Sequence, residues 1–326
     1  MARLATRLTE RFGIDHPILS APMALAGGGA LAAAVTRAGG LGLIGGGYGD
    51  DAWLDQQFAA AGNTRTGCGF ITWSLARQPH LLGKVLEHQP AALMLSFGDS
   101  APFSDEIAAA GVPMICQCQS IAHVRQALQA GAAVIVAQGA EAGGHGHARG
   151  TLPFVPEVAD LLARESPDTL LLAAGGIADG RGLAAALMLG ADGVLVGTRF
   201  WASREALVHA NHHAAAVAAT GDETVRSSLP DIVRQLDWPR PFDIRVSANA
   251  FIAKWVGRDH ELKGAIETEA PAYKAAFTAG DPQNAAVIFG EAAGLISDIP
   301  TAAEIVERMV TEAAACIRSG AARLRT

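Results

Sequence analysis

Eight short apolar runs, spaced along the first two thirds of the chain, constrain its fold more than any other feature. They cover residues 16–21 (HPILSA), 40–45 (GLGLIG), 67–72 (GCGFIT), 92–97 (ALMLSF), 113–118 (PMICQC), 133–138 (AVIVAQ), 170–174 (LLLAA) and 193–197 (GVLVG). Most recur every ~20–26 residues, the length that a strand, a helix and two short loops occupy. Amphipathic stretches rich in Ala and Leu, such as 30–38 and 121–130, fill the gaps. The runs are apolar almost throughout rather than alternating, which predicts strands covered on both faces. Eight βα units in series close most naturally into a (β/α)8 TIM barrel, an α/β fold. A doubly wound open sheet is compatible with the rhythm alone.

The rhythm ends near Ser203. From there to Asn284 the pattern is helical and more polar, beginning SREALVHANHHAAAVAA, with WPRPFD as a loop signal. This predicts a barrel from residues 1–204 and 285–326 with a smaller inserted helical domain, 205–284, as a cap on the substrate side. The closing stretch DIPTAAEIVERMVTEAAACIRSGAARL predicts one long amphipathic helix, with Pro300 near its start and Ile305, Met309 and Ala313 at helical spacing.

Charge removes several classes of function. The balance of 25 basic and 32 acidic residues gives a net charge of −7, and the lysines are only Lys84, Lys254, Lys263 and Lys274, so no nucleic-acid partner is expected. The N-terminus MARLATRLTERFGIDHP lacks the apolar core of a signal peptide, and no apolar run of ~18 residues follows. A cytoplasmic protein without a membrane partner is the expectation. Cys68, Cys116, Cys118 and Cys316 form no CxxC pair and are expected as buried thiols. No GxSxG, Walker loop or paired-carboxylate pattern supports a hydrolase or a nucleotide triphosphatase.

In a barrel, the residues just after each strand form the site. Glycine makes up 37 of 326 residues, about 11% against an average near ~7%, and it collects there. The loops after the last two strands, AAGGIADGRG and GADGVLVGTRF, suit a phosphate: Gly175, Gly176, Gly197 and the Thr198 hydroxyl would cradle it, with Asp179 capping the following helix. The segment AQGAEAGGHGHARG after the sixth strand places His145 behind Gly143 and Gly144, where an imidazole can act as a general base or hydrogen-bond donor. His147, two residues on, has no surrounding ligand set and is not expected to hold metal. Along 113–118, Cys116 and Cys118 share one face and Gln117 takes the other. His212 and His213 read as surface or packing residues.

HPILSAPM, AQGAEAGGHGH, AAGGIADGRG and GADGVLVGTRFWASRE, in that order and with GEAAGLISDIPTAAEIVERM near the end, resemble the nitronate monooxygenase family, formerly called 2-nitropropane dioxygenases. The resemblance implies an FMN-dependent barrel oxidising alkyl nitronates such as propionate 3-nitronate, or nitroalkanes, with O2 to carbonyl compounds and nitrite; it leaves room for a homodimer. It implies that Pro22, Met23 and Ala24 line the flavin ring, that Gln117 and Gln138 contact it, and that Gly143, Gly144, Gly175, Gly176, Gly197 and Thr198 hold the ribityl phosphate. It implies His145 as the catalytic residue. Met23, Phe70 and Trp73 are expected at the pocket, and Trp201 as structural. Two positions depart from some relatives: Gln117 where they carry Lys, and Ile71 where they carry Asn. Related flavoenzymes make NAD(P)H-dependent FMN reduction, with quinones or enoyl thioesters as acceptors, the alternative. A non-catalytic binder of a flavin or a phosphate ligand is the third.

Overall fold

Each of the eight runs forms a strand in the computed structural model, which describes residues 3–324. In chain order the strands are β1 (Ile18–Ser20), β2 (Leu41–Gly47), β3 (Gly67–Ile71), β4 (Leu93–Ser96), β5 (Met114–Cys118), β6 (Val134–Gln138), β7 (Gly144–Gly146), β8 (Leu170–Ala174), β9 (Gly193–Val196), β10 (Thr224–Ser227) and β11 (Asp243–Ser247). Strands β1–β6, β8 and β9 are parallel and close on themselves, β9 returning to β1 with Leu19 opposite Leu195. The open-sheet alternative is thereby excluded.

Alternation along the strands builds two cores. Leu19, Leu43, Ile115, Val136 and Leu195 point inward and fill the barrel. Ile18, Ile44, Cys68, Cys116 and Ile135 point outward against the helices. The helix Arg7–Phe12 inserts Leu8 and Phe12 into the inner cluster and so plugs the end opposite the site. Arg7 anchors it, donating from Nε and Nη2 to the two oxygens of Asp192 at 2.8 Å each.

The long C-terminal helix runs Ala302–Ala321 and starts with a capping box between Thr301 and Glu304. It lies against the helix Gly180–Met188 so closely that a Cβ on Gly180 would overlap the backbone of Met309 and Ala313. Asp179 caps that helix by accepting from the N–H groups of Arg181 and Gly182.

The inserted segment is not wholly helical. It carries β10 and β11, which pair antiparallel, and β11 also pairs with β7 from the loop after β6, giving the order β10-β11-β7. TVRS and DIRVS are too short to stand out as strands in a helical stretch, and they become strands through partners far along the chain. Leu229, Ile244, Val246, Phe251, Trp255 and Tyr273 form a separate apolar cluster in this segment. Among the described residues no helix is long and apolar enough to cross a membrane.

Candidate active site

Bare backbone at the ends of β2 and β3 shapes the floor of the barrel mouth. A Cβ on Gly45 would lie 2.5 Å from the Met23 carbonyl oxygen, and one on Gly69 would overlap the Pro22 ring. Their absence lets Pro22, Met23 and Ala24 cross the mouth, where the Met23 carbonyl accepts the Gly27 N–H at 2.7 Å. Above this floor is a cavity of about 1190 Å³ at the C-terminal ends of the barrel strands. Every residue singled out from the sequence as a site residue borders it: Pro22, Met23, Ala24, Gln117, Gln138, Gly143, Gly144, His145, Gly175, Gly176, Gly197 and Thr198.

These residues do different things there. Gly144, Gly175 and Gly176 have φ of +74°, +102° and +74°, the left-handed region that side chains disfavour. Gly144 and Gly197 face open space, with no atom within 4 Å of a Cβ on the first and only the Ala21 Cβ, at 3.8 Å, near one on the second. Gly143 is instead a packing glycine, because a Cβ would lie 2.5 Å from Phe289 C and Gly290 N. The Thr198 hydroxyl oxygen accepts the Gly290 N–H at 3.0 Å, which leaves its own proton for another acceptor. Beside the glycines, Glu141 accepts from the Thr151 N–H at 2.9 Å and hydroxyl at 2.8 Å. Arg226 and Arg245 donate to the Ala140 carbonyl at 2.9 and 3.0 Å, fixing the loop.

Gln138 is a strut: it accepts from Gln119 Nε2 at 2.9 Å and donates to the His145 carbonyl at 3.1 Å. Gln117, on the inward face of β5, ends at the cavity wall. Cys116 and Cys118 take the opposite face and are buried in the outer core. Burial pushes the Cys68 thiol up to about 12 and the Cys116 thiol up to about 11, so neither supplies a thiolate near neutrality.

The histidine sits on β7, opposite Ile244 of β11. Its Nε2 lies 2.9 Å from Asp231 Oδ2, and the two side chains are 7% and 6% exposed. A carboxylate only accepts, so Nε2 carries the proton and Nδ1 presents a lone pair. Nδ1 has no protein partner among the described residues. Burial holds the imidazole below its ordinary value, and Asp231 only partly offsets that, which favours the neutral ring. Trp238 stacks on it, with ring centroids 3.3 Å apart and planes 8° from parallel, and Phe97 meets it edge-on.

Asp231, Trp238, Arg234 and Tyr48 were not visible as site residues in the sequence. They meet at the mouth: Trp238 Nε1 donates to the Tyr48 hydroxyl at 3.0 Å and Arg234 Nη2 to the same oxygen at 3.3 Å. Trp73 stands behind Tyr48 and Trp238 rather than on the cavity, whereas Phe70 and Trp201 line it. His212 is buried and lines the cavity; His213 is half-buried and held by the Trp201 carbonyl at 3.0 Å. No feature of the sequence marked Asp231, Trp238, Arg234 or Tyr48. Of the non-glycine residues with positive φ, Leu25, Phe97 and Gln235 border the cavity and Gln89 does not. No cluster of three or more potential metal ligands occurs among the described residues, and His147 accepts its neighbour's Ala148 N–H instead.

Comparison with known proteins agrees with this geometry. The sequence model for nitronate monooxygenase matches residues 78–312. Nitronate monooxygenase npaC of Metarhizium robertsii is 35% identical over 94% of this chain and 93% of its own length. Among solved structures, FabK from Thermotoga maritima superposes with a TM-score of 0.86 at 30% identity, over 98% of this chain and 100% of FabK. A nitroalkane oxidase from Streptomyces ansochromogenes does so with a TM-score of 0.78 at 25% identity, over 96% of this chain and 99% of that one. The barrel, its cavity and these matches together place the chain in the nitronate monooxygenase family, as an oxidoreductase.

Proposed function

We propose that this chain binds FMN and oxidises alkyl nitronates, or the nitroalkanes that yield them, with O2 to a carbonyl compound and nitrite. The barrel portions, 1–204 and 285–326, would hold the cofactor, and residues 205–284 would close over the substrate. The observation that carries the reading is the buried pair His145–Asp231 at 2.9 Å, with Nδ1 of the ring left free at the cavity.

The residues present fit a flavin mononucleotide. The positions of Gly144 and Gly197 are a cradle that a Cβ would fill, and the left-handed Gly175 and Gly176 turn the adjoining backbone. The Thr198 O–H is available to a phosphate oxygen, and Pro22–Ala24 form a floor for a flat ring. When bound, FMN supplies the electron acceptor for the substrate and, once reduced, the group that meets O2.

The protein supplies position and proton transfer. Nδ1 of neutral His145 takes the α-proton of a nitroalkane, and the charge this places on the ring is balanced by Asp231 through Nε2–H. The protonated Nδ1 then donates to a nitronate oxygen and orients it. A substrate arriving as the nitronate omits both the proton transfer and the Nδ1–H hydrogen bond that it creates. Trp238 and Phe97 wall the imidazole on its face and edge and keep bulk water from it.

Purified protein is expected to be yellow, with absorbance near ~450 nm, and to release FMN on denaturation. Mixed anaerobically with propionate 3-nitronate, it should bleach. Bleaching by NAD(P)H but not by the nitronate would replace this reading with NAD(P)H-dependent reduction of a quinone or an enoyl thioester. Colourless protein that FMN cannot reconstitute would overturn both.

A further inference from the structure

The pairing of β10 with β11 sets two arginines opposite each other, Arg226 and Arg245. Like charges facing across an antiparallel pair repel, so the placement is unfavourable unless each cation serves another partner. Arg245 is neutralised by Glu291 at 2.9 Å. Arg226 is not: among the described residues no carboxylate reaches ion-pair distance of it, and the acidic groups around it are engaged elsewhere, Asp243 with Arg240, Glu291 with Arg245 and Glu141 with Thr151. Burial pulls its guanidinium down to about 10, which leaves it charged near neutrality, and its Nε is buried without a partner. A cation withdrawn from water without a counter-ion is costly.

Its partners are carbonyls instead. Nη2 donates to Ala140 at 2.9 Å and Ala142 at 3.3 Å, and Nη1 donates to Asp243 at 2.6 Å and Gly144 at 3.4 Å. Across a trans peptide the N–H points opposite to the C=O, so the N–H groups of Glu141 and Gly143 are turned away from the arginine. Neither has an acceptor among the described residues. The Gly143 N–H is near the Thr198 hydroxyl: a Cβ on Gly290 would lie 2.5 Å from the Gly143 nitrogen, and the Gly290 N–H is held by the Thr198 oxygen at 3.0 Å.

From this geometry we infer that Arg226, a residue of the inserted segment, is a positioning residue for the anion site of the barrel. By gathering the carbonyls of Ala140, Ala142 and Gly144 on one side, it leaves N–H groups of the loop for a phosphate, whose charge balances its own. The inference rests on the FMN reading for what carries that phosphate. Successive backbone N–H groups form a concave anion site, and polarising their carbonyls strengthens them as donors.

The test compares FMN with riboflavin, which differs only in lacking the phosphate, by fluorescence titration of the flavin-stripped protein. Wild-type protein should prefer FMN by at least about a hundredfold, and Arg226→Gln should cut that ratio about ten- to hundredfold. Arg226→Lys keeps the charge but cannot hold carbonyls through two nitrogens, so its ratio should fall between the two; it decides the matter if the glutamine variant does not fold. A merely structural arginine would weaken both flavins alike. Equal affinity of the wild type for the two flavins, or a ratio unmoved by substitution, would overturn the inference and leave flavin binding standing. If the wild type binds neither flavin, inorganic phosphate separates the two ideas: a rise in melting temperature that Arg226→Gln lacks keeps the anion site and removes the FMN reading, and no rise, or an equal rise in both, overturns the two together.

Discussion

Replacing Asp231 by Asn tests whether the carboxylate acts through its charge or only through its shape. The amide is nearly isosteric and its oxygen can still accept the His145 Nε2–H, so the proton stays on Nε2 and Nδ1 keeps its lone pair. What is lost is the negative charge 2.9 Å from the ring, in a pair whose side chains are both less than a tenth exposed. A buried hydrogen bond to a charged group is worth about 1.5–3 kcal/mol. That energy stabilises the imidazolium formed when the α-proton moves, so kcat for a neutral nitroalkane should fall about ten- to hundredfold. Preformed nitronate needs no proton transfer and should lose less than about fivefold. The pH profile adds a second signature. Nδ1 accepts a proton only when the ring is neutral, so kcat/KM for the nitroalkane rises with pH, with a midpoint below the ordinary histidine value. Asp231 raises that midpoint, and Asp231→Asn should therefore shift the rise to lower pH while lowering the plateau. Steady-state kinetics on a nitroalkane and its nitronate, over pH 5–8 and with the melting temperature as a control for folding, decides it. Equal losses on both substrates, or an unmoved midpoint, would refute the role given to the charge.

Two further outcomes follow from the same physical chemistry. His16, His123, His145, His212 and His213 are all held below the ordinary value, in each case chiefly by burial; the unfolded chain then binds more protons, so their stabilisation is complete above about pH 6.5 and is lost as pH falls through their lowered values. Melting temperature should accordingly drop as pH is lowered from 7.5 to 5, and a flat or rising curve would contradict the assignment. Gly197→Ala and Gly143→Ala should part company: at Gly197 φ is −100° and the new methyl meets nothing closer than 3.8 Å, so the melting temperature should hold while FMN affinity falls at least about tenfold. At Gly143 the methyl would sit 2.5 Å from neighbouring backbone and cost about 1–3 kcal/mol of stability, which thermal unfolding of the two variants reads directly.

The barrel could be read from the sequence because each strand is buried on both faces and separated from the next by one helix, so the pattern is local and repeated. The candidate site was placed by the same logic, since a barrel exposes one set of strand ends and the glycines gather in those loops. Alternation also put Gln117 on one face of β5 and the two cysteines on the other, and the structure turns Gln117 inward. What escaped was whatever depends on distant pairing. Nothing in SLPDIVRQ marks Asp231 as a partner for a residue 86 positions away, and no periodicity marks DIRVS as the strand that would receive GHG. The glycines themselves were of two kinds that composition cannot separate: Gly45, Gly69 and Gly143 let protein approach protein, while Gly144 and Gly197 leave room that protein does not use.

The inserted segment is therefore more than a cover. The barrel contributes His145 on a strand that pairs with β11, and the turn of helix Leu229–Val233 contributes Asp231. Trp238, a few residues further on, stacks on the ring and is tied to Tyr48 at the end of β2. Imidazole, carboxylate and indole thus come into register only when the segment is seated on the barrel, through β7–β11 on one side and Tyr48 on the other. If the segment were unseated, His145 would lose both its charge partner and its apolar wall, and the ring's preference for one tautomer would go with them. In the proposed mechanism proton transfer and exclusion of water would both depend on that docking contact, and Phe97 and Gln235, both at positive φ, border the same cavity.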